Sequence, residues 1–208
     1  VSVPTIYHVP VAEPLLKKGV ACLVEKPLAA NPNDAKALAD LAKANNTVLQ
    51  VGHTERFNPG LRAVSALNLK PRFMDVQRVS PMTFRSLDIG VVMDMMIHDL
   101  DIVLHLANSK LKHVHAVGTS IISEHEDICN ARLTFESGCV ANITASRMAL
   151  TTERRMRLFS DDAFVNLDYA TRSGILVRKS AHADKLDEIR NLVLSGKDLS
   201  SMKYTDMV

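Results

Sequence analysis

Residues 1–52 alternate short β-rich runs with helical patterns, and this alternation constrains the fold more than any other feature of the chain. An extended Val1–Val3 precedes a helix over about Val9–Lys18 that Gly19 stops, followed by a strand, Val20–Val24. A second helix follows Pro32 and Asn33, with Leu38, Leu41 and Ala42 on one face, and leads to the run Thr47–Val51. Strands of this kind, separated by helices, predict a parallel, doubly wound sheet buried on both faces. Three strands make a poor free-standing domain. The first also starts at residue 1 without a Met, so the chain is expected to be a fragment whose earlier strands are missing. The glycines agree, because none of them forms the G-x-G-x-x-G loop that seats a dinucleotide pyrophosphate on a helix N-terminus.

After Gly52 the texture changes. A helix over about Pro59–Leu69, a strand Phe73–Val79, a polar loop and a helix Met93–Leu106 precede six alternating strands. These are expected at His113–Ser123, Ile128–Phe135, Val140–Ser146, Met156–Ser160, Phe164–Leu167 and Ile175–Arg178. Glu136-Ser137-Gly138 and Asp161-Asp162 are short enough for hairpin turns, so the sheet should be largely antiparallel. The expected fold class is therefore α/β plus α+β. Residues 1–52 form a partial doubly wound sheet, and residues 53–208 an open-sheet domain with flanking helices, a last helix at about Lys185–Leu194 and a truncated C-terminus.

Composition narrows the function. With 47% apolar residues, 23% charged and a net charge of +2, the chain is an ordinary globular sequence. No apolar run reaches the ~20 residues a membrane helix needs, no leader is visible, and a cytoplasmic location is expected. Cys22, Cys129 and Cys139 lack CxxC spacing, which suits buried thiols in a reducing compartment. Only 4% aromatics and scattered basic residues argue against a nucleic-acid surface. A small-molecule partner is the expectation.

Three segments have chemistry in them. On the helix around His98, a 100° advance per residue brings Asp94, His98, Asp101 and His105 onto one narrow stripe, with apolar residues over most of the remaining circumference. Charged groups on so apolar a helix must face a cavity, a partner or one another. Asp99 breaks the pattern. Glu25-Lys26-Pro27 directly follows the strand Val20–Val24, where ligands bind in open parallel sheets, and a cis proline there could aim Lys26 into the crevice. Gly52-His53-Thr54-Glu55-Arg56-Phe57-Asn58-Pro59 lies at the next strand end. Each segment also has a bland reading: a core hydrogen-bond network around His98, a surface lysine at Lys26, or a capped linker with Arg56 in a surface ion pair.

Taken in order, these blocks make the chain recognisable. Val3-Pro4-Thr5 with His8, Glu25-Lys26-Pro27, Gly52-His53 with Arg56-Phe57-Asn58-Pro59, and Asp94-x-x-x-His98-x-x-Asp101 resemble the Gfo/Idh/MocA family of nicotinamide-dependent sugar oxidoreductases. The resemblance implies a Rossmann domain followed by an open antiparallel sheet used for substrate binding and oligomerisation. It also implies NAD or NADP as cofactor, NAD favoured, and a sugar or nucleotide-sugar substrate. By the same resemblance Lys26, Asp94 and His98 are catalytic, and Pro4, Thr5, His8, Glu25 and Lys26 border the cofactor. Arg56, Asn58, Arg85, Asp94 and His98 meet the substrate. His98 would take the hydroxyl proton near the ordinary imidazole pKa, with Asp94 orienting the ring or binding a neighbouring hydroxyl. The segment Arg85–Val92 resembles most the branches acting on C3 of UDP-N-acetylglucosamine, where Arg85 would contact the diphosphate. Without its glycine-rich loop the fragment is expected to bind the dinucleotide poorly and to be inactive alone. The rival readings are a metal-dependent lyase or hydrolase, an NAD-using glycosidase, and a non-catalytic oligomerisation module.

Overall fold

The computed structural model describes residues 1–83, 89–179, 191, 194 and 195. Its N-terminal part has two strands, β1 (Cys22–Val24) and β2 (Leu49–Val51), paired in parallel. Helix α1 (His8–Lys17) ends where Gly19 takes φ 72°, a conformation costly for residues with a Cβ. Helix α2 (Pro32–Ala44) starts from Asn31, whose side chain accepts from the Asp34 amide at 2.9 Å, with Pro32 in the first turn. Ala12 and Leu16 of α1 and Leu38 and Ala42 of α2 bury against Cys22 and Val24 of β1. This core orders the strand ends that follow Val24 and Val51.

Val1–Val3 does not form the strand expected of it. Only Val1 pairs with β1, its amino terminus donating to the Leu23 carbonyl at 2.5 Å and its own carbonyl accepting from Glu25 at 2.9 Å. The chain then turns through Pro4 into a tight 3-10 turn at Thr5–Tyr7, which leaves no room for a ladder.

Among the described residues the larger sheet has seven strands in the order β4-β5-β6-β3-β7-β8-β9. They are β3 (Pro71–Val79), β4 (Leu111–Thr119), β5 (Ile128–Phe135), β6 (Val140–Ser146), β7 (Glu153–Ser160), β8 (Ala163–Asp168) and β9 (Ser173–Arg178). All pairs are antiparallel except β3 with β6, which places β3 at the centre. Gly138 at φ 84° makes the β5–β6 hairpin, and Asp161-Asp162 the β7–β8 hairpin. β4 stops before Ile121–Ser123 because those amides turn inward to Asp127. Its Oδ2 accepts from Ile121 and Ile122 at 2.7 Å and from Ser123 at 3.1 Å.

One face of this sheet is covered by α3 (Pro59–Ala66) and by α4 (Ile97–Ala107), preceded by a π-turn, Val92–Met96. Met74 and Val76 of β3 pack beneath Met96, Ile102 and Val103, all at most 1% exposed. No helix is long and apolar enough to cross a membrane among the described residues. The expected helix Lys185–Leu194 lies outside the described residues, apart from Asn191 and Leu194.

Candidate active site

A cavity of about 950 Å³ opens between the strand ends of the small sheet and the centre of the large one. Its walls include Lys26, Glu55, Asn58, Arg78, Asp94 and His98. That volume is near the upper end of ligand pockets, roughly 300–1,000 Å³.

Lys26 enters from the loop after β1. The Lys26–Pro27 peptide is cis, and the Lys26 ammonium donates to the Asp94 carbonyl at 2.8 Å and to its Oδ1 at 3.2 Å. Behind it, the His8 ring is 1% exposed and spans two loops, Nδ1 lying 2.8 Å from the Pro27 carbonyl and Nε2 2.9 Å from that of Val3. Glu25 lies over Gly52, where a Cβ would stand 3.1 Å from its carboxylate. Pro4 and Thr5 sit where the chain enters the 3-10 turn, beside the first of these loops.

The stripe expected on the His98 helix is divided among different partners. Asp94 lies within the π-turn, Val92–Met96, and still lines the same cavity as His98. Asp94 pairs with Lys26 rather than orienting the imidazole. Asp101 accepts both forks of Arg56 at 2.6 Å, and exposed His105 borders a different cavity. The turn itself is anchored from across the fold. Glu126 Oε1 accepts from the Val92 amide at 3.1 Å, and the Glu126 carbonyl from Val91 at 3.0 Å. Its carboxylate occupies the space a Cβ on Gly90 would need, 1.9 Å away.

His98 stands half-buried in the cavity with its Nδ1 enclosed and unbonded. Burial and the charges of Arg78, Lys26 and His53, opposed by Glu55, lower its pKa from the ordinary imidazole value to about 4. The ring is therefore neutral across the physiological range, and the expectation of an ordinary imidazole pKa is corrected.

Beneath His98 lies a charged network that sequence reasoning missed. Arg78, 4% exposed, donates bidentately to Asp99, at 2.8 Å and 2.9 Å, and to Glu55 at 3.1 Å. Burial alone would lower the pKa of the guanidinium, but hydrogen bonds and charge from Asp99 and Glu55 raise it. Burial alone would raise the Glu55 carboxyl, but Arg78 and Asn58 hold it below its ordinary value. Tyr169 lies under Arg78, its ring centroid 5.9 Å from the guanidinium carbon.

Of the expected substrate contacts, Asn58 lines the cavity, yet its amide is already engaged. It caps α3 through the Gly60 amide at 3.0 Å and donates to Glu55 at 3.2 Å and to the Tyr169 carbonyl at 3.1 Å. Arg56 does not line the cavity; its guanidinium is spent on Asp101, matching the bland reading of a linker ion pair. Arg85 lies outside the described residues. No group of three His, Cys, Asp or Glu side chains able to hold a metal occurs among the described residues. The parts present fit a nicotinamide ring: loops at two parallel strand ends, a lysine and an enclosed imidazole beside them.

Comparison with known proteins agrees with this geometry. Residues 1–53 match the oxidoreductase family, NAD-binding Rossmann fold, and residues 61–165 the GFO/IDH/MocA C-terminal domain. UDP-N-acetylglucosamine 3-dehydrogenase of Acidithiobacillus ferrooxidans is 38% identical over 167 residues, 80% of this chain and 53% of that protein. Its solved structure superposes with a TM-score of 0.81 at 36% identity, covering 86% of this chain and 57% of the other. The myo-inositol dehydrogenase Hyg17 of Streptomyces leeuwenhoekii is 32% identical over 130 residues, 58% of this chain and 40% of that protein. The chain spans about half the length of the curated relatives it matches. A strand-end lysine, a half-buried imidazole, two sheets of this topology and matches to both family domains lead to one assignment: the chain belongs to the Gfo/Idh/MocA family of oxidoreductases.

Proposed function

We propose that the protein carrying this chain is a nicotinamide-dependent dehydrogenase that oxidises a sugar carbinol, with C3 of UDP-N-acetylglucosamine as the substrate position. The observation that carries this reading is the meeting of Lys26, Asp94 and His98 in one cavity. Likeness to a UDP-N-acetylglucosamine 3-dehydrogenase supports the substrate, and the match to an NAD-binding fold supports the cofactor. NAD is the favoured form.

Oxidising a carbinol requires a base for the hydroxyl proton at the same moment that carbon loses hydride. His98 is neutral and can take that proton. Lys26, held by Asp94, donates to the substrate oxygen and stabilises its alkoxide character. Arg78 keeps a positive charge near the imidazole, while Asp99 and Glu55 keep Arg78 in place. A bound nicotinamide would supply the hydride acceptor. Pro4, Thr5, Glu25 and Lys26 would border it, with His8 fixing the two loops and Asn58 holding Glu55. We set the domain boundary at Gly52, with 1–52 facing the cofactor and 53–208 the substrate. The exposed side of the large sheet, where Phe73, Phe159 and Phe164 cluster, is assigned to association between copies.

The test is to supply the full-length protein with NAD and UDP-N-acetylglucosamine and follow reduced nicotinamide. Formation of the 3-keto sugar in step with reduction supports the reading. Reduction with myo-inositol but not with the nucleotide sugar would reassign the substrate, and reduction with neither would remove the activity.

A further inference from the structure

Among the described residues, six charged side chains line the cavity, and four of them have partners there. Lys26 is bonded to Asp94, and Arg78 to Asp99 and Glu55. The other two are Arg154 and Arg172, both exposed, and neither makes a hydrogen bond or ion pair through its side chain with a described residue. Asp99 feels the charge of Arg154, but both Asp99 oxygens are taken by Arg78. The inner wall is thus paired, whereas the exposed Arg154 and Arg172 guanidinium groups of the outer wall have no charge partner among the described residues.

The backbone fixes the points from which these two side chains leave. Arg154 is opposite Arg78 in the β3–β7 register, and its carbonyl accepts from the Tyr169 amide at 2.8 Å, which ties it to the end of β8. Arg172 lies in the β8–β9 turn at φ 58°, against Gly60 at the start of α3. Thr83 and Thr152 add hydroxyls to the same wall. Two like charges facing one cavity call for a ligand with more than one negative charge. Guanidinium groups match phosphate oxygens in their fork geometry.

We propose that Arg154 and Arg172 form a subsite for the diphosphate of a nucleotide sugar. This deepens the substrate reading above and rests on it. In such a sugar the diphosphate leaves from C1, so a C3 carbinol held at His98 and Lys26 directs the phosphates toward the outer wall. The pair then selects for nucleotide sugars, because a neutral polyol leaves both charges unused.

The experiment is calorimetry on the full-length protein and its R154A, R172A and doubly substituted forms, with UDP, uridine, ADP and inorganic pyrophosphate as probes. Thermal melts and NAD affinity serve as folding controls, and R154K and R172K as charge-conserving variants. We expect UDP to bind far more tightly than uridine, and each alanine to weaken UDP about 10- to 100-fold, the worth of a charge-assisted contact. The lysine forms should recover part of the loss. UDP affinity unchanged in the doubly substituted protein, or uridine binding as tightly as UDP, overturns the subsite. If UDP-N-acetylglucosamine is not oxidised yet ADP or pyrophosphate binds and the double substitution abolishes it, the subsite stands and the substrate reading falls. If oxidation of UDP-N-acetylglucosamine keeps its KM in the doubly substituted protein, the reading stands and the subsite falls. Binding of none of the phosphate probes also overturns the subsite.

Discussion

The Lys26 ammonium lies 2.8 Å from the Asp94 carbonyl and 3.2 Å from its carboxylate, joining the loop after the small parallel sheet to the π-turn ahead of α4. Residues 68 positions apart thus fix the distance between the loop after β1 and the helix that presents His98. The interaction is partly exposed, so its importance is geometric more than energetic.

Replacing Lys26 by Met should act twice. It removes a donor to the substrate oxygen, which lowers kcat. It also removes one of the positive charges that lower the His98 pKa, so the acid limb of the kcat/KM profile should move to higher pH. Steady-state profiles of the two proteins measure both effects; an unmoved limb would mean that Lys26 does not act on His98.

In the wild-type protein, activity should persist well below the ordinary imidazole pKa. The neutral ring is the competent form, and a folded-state pKa of about 4 means that protons inactivate it only as pH approaches that value. The same shift has a stability consequence. Between the unfolded value of 6.5 and the folded value of about 4, the unfolded chain binds a proton that the folded one does not, so stability falls as pH falls through that window. Denaturant melts of wild-type and His98→Asn proteins should differ in slope against pH only there.

Much of this was legible in the sequence, and the failures have physical causes. Ile128–Phe135 and Val140–Ser146 were readable to the residue because alternation and the Gly138 hairpin agree. Val1–Val3 failed because β-rich composition cannot show that Pro4 turns the chain. The Asp94–His98–Asp101 stripe could not show that Asp94 pairs with Lys26 and Asp101 with Arg56, and no residue type announces the π-turn at Val92–Met96. The Arg78–Asp99 pair did have a signal. Alternation along Phe73–Val79 puts Arg78 on the same face as Met74 and Val76, and Asp99 was the one misfit on an apolar helix. Two charges on two apolar faces, each unexplained alone, are explained by each other.

Arg78→Met should therefore be severe. It leaves Asp99, fully buried, without its cation, a loss of about 3–5 kcal/mol for a broken buried pair. The exposed Lys17–Glu13 pair supplies the contrast, since Lys17→Met should cost less than about 1 kcal/mol. Chemical denaturation of both variants makes the comparison.

Gly90→Ala should disturb the active site from a distance. The new Cβ would expel the Glu126 carboxylate and free the Val92 amide, costing about 0.5–2 kcal/mol as for a lost helix cap. Glu126→Ala should produce the same loss, and the two together little more than either, because both break one contact. kcat and melting of the three proteins provide the measurements.

The central claim is that His98 accepts the substrate proton, and His98→Asn in the full-length protein tests it most directly. The amide keeps polarity and approximate size, so substrate and cofactor affinity should hold while kcat falls about 10²- to 10⁴-fold and the acid limb disappears. A variant with near-wild-type kcat and an unchanged limb would contradict the account and move the proton acceptor to Lys26.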